Sequence, residues 1–142
     1  MDINEYFANA KKFKNKIIVI AVKDEASKYA KNFTSAEKLN LKLKLGYRSS
    51  YVGVVDFRRD FLYEETSEAK IECSYKVNDS YIDIVSAGFN SGNTSSIKVD
   101  GEEYSFCKSG LNIAVFNARS LKLSDAFWCN THSSGALTVE RE

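Results

Sequence analysis

The chain's densest chemistry sits in five consecutive residues, Lys23-Asp24-Glu25-Ala26-Ser27, directly after an apolar run. Open α/β sheets place ligand groups at the carboxyl ends of their strands, which makes this cluster a candidate binding rim. Asp24 and Glu25 are both carboxylates, the residue type that glycoside hydrolysis uses in pairs. Adjacent residues after a strand point in different directions, however, and no second acid at a suitable separation is identifiable. Cys129-Asn130-Thr131-His132 brings a thiol near the chain's one imidazole. No orienting acid or oxyanion donor accompanies them, so His132 reads as a surface or loop-packing residue. The loop Gly88 to Asn93 (GFNSGN) has no Lys or helix start after it, which argues against phosphate binding. HExxH, GxSxG, Walker A and GxGxxG patterns are all missing. Cys73, Cys107 and Cys129 are odd in number and widely spaced, giving neither a disulfide framework nor a zinc pattern. They read as buried free thiols, which weakly favours a reducing compartment. No cofactor or metal is implied.

The elements that must carry these residues follow from periodicity. Ile3, Tyr6, Phe7, Ala10 and Phe13 form one stripe at helical spacing, with Asp2 as N-cap and Glu5 three residues on. Lys16 to Val22 is continuously apolar and β-branched, as in a strand buried on both faces. Ser27 to Lys31 makes a short helical turn. Thr34 with Glu37 is a second capping box, predicting a helix to about Lys44 with Gly46 as its stop. The alternation in LNLKLKL (39–45) competes with that helix. Tyr47 to Phe57 reads as a loop entering a strand, and 58–70 as the most loop-like connection.

From residue 70 the period becomes two. Ile71 to Val77 alternates, Asn78-Asp79 turns, and Tyr81 to Ile84 restarts a strand. Asp100-Gly101 is a type I′ hairpin signal between Ile97–Val99 and EEYSF. Leu111 to Phe116 and Leu121 to Trp128 are two more strands about a turn at 117–120. The expected fold is therefore a layered α/β (α+β) domain, a β-sheet or sandwich core with two main helices packed on it. Residues 1–57 form its helix-rich half, 58–80 its connector and 81–142 its all-strand half.

At 142 residues, 44% hydrophobic and 13% aromatic, the chain suits one packed domain. The net charge of +1 gives no global pull toward nucleic acid. The lysine runs at 11–16 and 38–44 read as solvated faces. The polar N-terminus lacks the apolar region of a signal peptide, and the longest apolar run, IIVIAV, is too short to span a bilayer. Membrane insertion is not expected.

KDEAS (23–27), then GYRSSYVGV (46–54), resembles the C-terminal half of interleukin-like EMT inducer (ILEI) domains. SAGFNSGNTSSIKVDGEEYS (86–105), GLNIAVFN (110–117) and NTHSS (130–134) resemble the N-terminal half of the same family. The matching stretches cover most of the chain, but in exchanged order. A circular permutation accounts for this, with 58–80 joining the old ends; so does a segment running from the end of one tandem copy into the next. Permutation uses each structural element once.

The family includes secreted signalling proteins and the sugar-binding stem domain of protein O-mannose N-acetylglucosaminyltransferase. The resemblance implies sugar contacts from Asp24, in the KDE position, and Arg48, in the second arginine position. A third position departs from the family, with Ser109 where an arginine is usual and Lys108 just before it. Asn130 and Ser49 also replace family aspartates.

A carboxylate accepts from two neighbouring hydroxyls, and a guanidinium is a rigid fork of five donors. Tyr47, Tyr51 and Trp128 can supply a stacking surface for a sugar ring. Lys108 can replace part of the missing arginine as a point charge. The competing structural reading is that Asp24 and Arg48 only pair with each other at the sheet rim. Two functions follow: a non-catalytic carbohydrate-binding module, or a protein-interaction or self-associating module. A small enzyme ranks last.

Overall fold

The computed structural model describes residues 1–142, the whole chain. Nine strands run in the order β1 Lys16–Asp24, β2 Ser50–Asp56, β3 Phe61–Ser67, β4 Ile71–Val77, β5 Ser80–Gly88, β6 Thr94–Val99, β7 Glu102–Glu103, β8 Gly110–Asn117 and β9 Leu123–Cys129. The helical content is one short α-helix, α1 (Ile3–Tyr6), with 3-10 turns at Ala10–Phe13, Ala30–Asn32, Thr34–Leu39 and Phe89–Ser91.

β1 is the hub. It pairs antiparallel with β2 on one side and β8 on the other, while β3 and β9 extend this layer outward. β4, β5, β6 and β7 form an antiparallel second layer. The layers join where Lys23 and Asp24 pair in parallel with Ala87 and Gly88 of β5. Residues 17–22 are all fully buried because both faces of β1 carry a core. Ile17, Val19 and Ala21 pack toward Ile82, Ile84 and Ile97 of the second layer. Ile18, Ile20 and Val22 face Phe7, Phe13, Phe33 and Leu39 from the helical segments. Phe7, Phe13, Phe33, Phe127 and Tyr6 form one aromatic cluster there, with neighbouring ring centroids 4.7–6.3 Å apart.

The turn signals are realised. Asp100 and Gly101 both have positive φ, 51° and 83°, as a type I′ turn requires. Asn78 (φ 56°) and Asp79 connect the paired Val77 and Ser80. The Asp2 carboxylate caps α1 by accepting from the Asn4 amide at 2.7 Å.

Three expectations are corrected. The loop-like stretch 58–70 contains β3, in full register with β2 from Ser50–Ser67 to Asp56–Phe61. Its charge reflects an edge strand facing water. The turn before it is clamped by the fully buried Asp56, which accepts from the Arg59 amide, the Arg59 guanidinium and the Tyr75 hydroxyl.

The stripe at 3–13 forms as α1 and one 3-10 turn rather than a continuous helix. The helix expected from Thr34 to Lys44 ends as a 3-10 turn at Leu39, with Asn40 in the left-handed region at φ 62° and no side-chain cap from Thr34. Beyond it the alternation prevails. Leu41 is buried and Leu43 and Leu45 half-buried, while Lys42 and Lys44 are exposed. Glu64 holds this segment down, accepting from the Lys42 and Leu43 amides at 3.0 and 2.7 Å. The first half is consequently not helix-rich, since it contains β1 and β2. The domain as a whole is sheet-rich, with short helical segments on one face.

Candidate functional site

β1 changes neighbours at its C-terminal end, and that change builds the site. β2 leaves the ladder after the Ala21–Val52 pair, and β5 takes its place at Lys23. Backbone groups stranded by such a switch need other partners. Serines supply them. Ser86 Oγ donates to the Val22 carbonyl at 2.6 Å and accepts from the Tyr51 amide at 2.9 Å. Ser50 Oγ accepts from the Gly88 amide at 3.0 Å. Gly88 must be glycine for space, because a Cβ there would lie 2.0 Å from the Arg48 carbonyl oxygen. One glycine thus pairs with Asp24 on one side and abuts the Arg48 backbone on the other.

Arg48 sits in a tight turn closed by the Ser49 amide donating to the Gly46 carbonyl at 3.2 Å. Its φ is 56°, a conformation that side-chain-bearing residues rarely adopt, so the turn must be fixed by outside bonds. The fixing group is Glu25. That carboxylate is 3% exposed and accepts from the Ser27 amide at 2.9 Å, the Ser27 hydroxyl at 2.6 Å and the Arg48 amide at 3.1 Å. His132 Nδ1 lies 3.1 Å from its other oxygen. Burial alone would push the Glu25 carboxyl up. The bonds from Ser27, Arg48 and His132 outweigh burial and hold it below its ordinary value.

The Arg48 guanidinium lies 4.2 Å from the Phe89 ring centroid and 4.8 Å from that of Tyr47. Both rings are exposed, Tyr47 at 70% and Phe89 at 47%. Such stacking orients a guanidinium without using its N–H donors. No ion pair engages the Arg48 guanidinium; the ion pairs of the chain are Arg59–Asp56, Lys70–Glu72 and Arg141–Asp125. Asp24, also at positive φ (66°), accepts from Ser109 Oγ at 2.7 Å. The structural reading in which Asp24 and Arg48 merely pair with each other is therefore not what is found.

The expected site residues separate into three groups. Asp24, Ser109, Arg48 and Tyr47 gather around the β1–β5 junction. Lys108 and Trp128 form a second pair, with the ammonium 6.0 Å from the indole centroid and the indole N–H donating to the Glu142 carbonyl at 2.6 Å. Trp128, on β9, pairs with Asn112 of β8 and so lies two strands from β1. Tyr51 is a correction. It is fully buried against the helical layer, with its hydroxyl donating to Glu64 at 2.7 Å, and cannot stack on a ligand. Its parity along β2 points it inward.

Sequence reasoning missed Glu25, Ser27, His132 and Phe89 as parts of this assembly. Glu25 was legible only as half of an acid pair, and His132 as loop packing. Residues 131–132 reach β1 because the Thr131 hydroxyl donates to the Ala26 carbonyl at 2.6 Å and the Tyr29 amide to the Thr131 carbonyl at 2.7 Å. The Ser27 hydroxyl donates to Glu25 and not to His132, an order unlike the nucleophile–base–acid relay of a hydrolytic triad. Burial pushes the Cys129 thiol up to about 12, with Asp2 and Glu140 adding to it, which is unlike an activated nucleophile.

Beside the Arg48 turn lies a shallow groove of about 580 Å³, bordered by Ser27, Lys31, Lys42, Lys44 and Gly46. No group of three His, Cys, Asp or Glu side chains is placed to hold a metal ion. No helix is long and apolar enough to cross a membrane. No family model, curated protein or solved structure matches the chain.

Proposed function

We propose that this domain is a non-catalytic carbohydrate-binding module that recognises sugar hydroxyls through Asp24 and Arg48. One observation carries the reading. The Arg48 guanidinium is clamped between two exposed aromatic rings while its hydrogen-bond donors stay uncommitted. A half-buried arginine with no ligand to meet gains little from so ordered a mounting. Its left-handed backbone, at φ 56°, adds a conformational cost that the bond to Glu25 helps to offset. Asp24, across Gly88, accepts one bond from Ser109 and keeps acceptor capacity for a ligand hydroxyl. Tyr47 or Phe89 offers an apolar face to a sugar ring.

The same reading keeps the ILEI-type relationship with exchanged halves. The chain's ends lie side by side, with the Ile3 amide donating to the Leu137 carbonyl and the Val139 amide to the Met1 carbonyl, both at 2.8 Å. Adjacent ends are what a permutation requires. Affinity for a monosaccharide is expected near the millimolar level, about −4 kcal/mol, because few atoms make contact. The test is a glycan array probed with wild-type protein and with Arg48→Ala. Glycan spots lost in the variant support the reading, and an array blank for both proteins contradicts it.

A protein-interaction or self-associating module is the second reading, and β3 favours it. This edge strand pairs only with β2 and exposes Phe61 and Leu62, at 36% and 46%. Unprotected edges recruit further strands. Sedimentation equilibrium tests it, since a second copy added along β3 gives a dimer that Leu62→Lys disrupts.

A further inference from the structure

The groove beside the Arg48 turn is lined by three lysines. Its cationic side chains come from two walls, Lys31 from the 3-10 turn at Ala30–Asn32 and Lys42 and Lys44 from the extended segment after Asn40. None of the three is in an ion pair, and no Asp or Glu borders the groove. Three ammonium groups around one concavity outnumber the two nearest carboxylates, Glu25 and Glu64, which are engaged by amides of the rim, and so favour an anion there.

The lysines are also positioned rather than free-swinging at the backbone. Glu64 takes the amides of Lys42 and Leu43, and Thr66 Oγ donates to the Lys44 carbonyl at 2.7 Å. Leu41, Leu43 and Leu45 turn toward the core, so Lys42 and Lys44 must both turn outward. Leu43 takes up a left-handed φ of 51° between them.

The groove is continuous with the proposed sugar site. Gly46 borders it and opens the turn that carries Arg48; Ser27 borders it and shares the Glu25 carboxylate with the Arg48 amide. We infer that the domain's ligand is an acidic oligosaccharide, with one sugar held at Asp24 and Arg48 and the carboxylate or sulfate groups of neighbouring sugars lying along Lys31, Lys42 and Lys44. This rests on the carbohydrate reading above and adds the charge of the chain bound.

The experiment is calorimetry in low salt with hexuronate oligomers against their methyl esters, and with sulfated oligosaccharides against their desulfated forms. The two pairs distinguish carboxylate from sulfate as the anionic group. The acidic member of at least one pair is expected to bind about tenfold more tightly than its neutral counterpart, as three solvent-exposed ion pairs supply. The triple variant K31Q/K42Q/K44Q, or 0.5 M salt, should abolish that advantage and leave neutral-sugar binding unchanged. Equal affinity for acidic and neutral members would overturn the inference and leave the carbohydrate reading intact. Lysine-dependent acidic binding that survives Arg48→Ala would uphold the groove and overturn the role of Arg48. No binding by any oligosaccharide would overturn both.

Discussion

The Arg48 amide donates to Glu25 Oε1 across 3.1 Å, and this bond ties the end of β1 to the turn that presents the guanidinium. The same oxygen holds Ser27, so one buried carboxylate sets both the loop after β1 and the Arg48 backbone. Glu25→Ala leaves those donors without their partner and should cost about 3 kcal/mol of unfolding free energy. Glu25→Gln keeps one acceptor oxygen and should cost less. Chemical denaturation of the two variants checks the ranking.

The pH dependence follows in sign. The folded Glu25 carboxyl lies below its ordinary value of 4.5, so it stabilises the fold fully above that pH. The contribution is lost as pH falls through the folded value. Asp125, held down chiefly by the Arg141 hydrogen bond, acts in the same direction. Melting temperature should therefore fall on acidification below about pH 4.5, and Glu25→Gln should flatten part of that fall. An unchanged acid limb in the variant would contradict the role given to Glu25.

Gly88 tests the shape of the junction. A methyl group there would sit 2.0 Å from the Arg48 carbonyl oxygen, so Gly88→Ala must displace the Arg48 turn. The expected cost is at least about 2 kcal/mol, with loss of ligand binding. Gly46→Ala is the comparison, because its added carbon meets Ser49 Cβ at an ordinary 3.8 Å.

Two tyrosines of the same loop and strand should behave oppositely. Tyr51→Phe removes a buried hydrogen bond to Glu64, about 1 kcal/mol, and leaves binding unchanged. Tyr47→Ala removes an exposed ring beside Arg48 and should weaken binding with little effect on stability. Thermal melts and ligand titrations on both variants separate the roles.

Thiol reactivity reads out a different corner. Burial pushes the Cys107 thiol up, but bonds from Ser95 and Thr94 and the charge of Lys23 bring it below its ordinary value. Cys129 is buried and pushed up to about 12. Alkylation of the folded protein near neutral pH should label Cys107 first and Cys129 last, as peptide mapping would show.

Local patterns made much of the fold legible. β1 was readable from its unbroken apolar run, the two hairpins from Asn78-Asp79 and Asp100-Gly101, and β8 from the largely apolar stretch Leu111 to Phe116. β3 was not, because this edge strand is as polar as a loop. The 34–44 segment carried two conflicting signals, and the leucine alternation outweighed the capping box once Glu64 and the core on β1 were present. Of the residues gathered at the β1–β5 junction, Asp24 and Arg48 were singled out from the sequence through the ILEI-like resemblance alone. Glu25, His132 and Phe89 were not, since their roles arise from contacts between residues 23 to 107 positions apart.

The most direct test of the central claim is an amide NMR titration with monosaccharides and short glycans, N-acetylglucosamine first, on wild-type protein and on Arg48→Ala and Asp24→Ala. The account predicts shifts confined to residues 24–27, 46–49, 88–89 and 109, saturating near millimolar concentration and absent in both variants. An unperturbed wild-type spectrum with every sugar at tens of millimolar would contradict it.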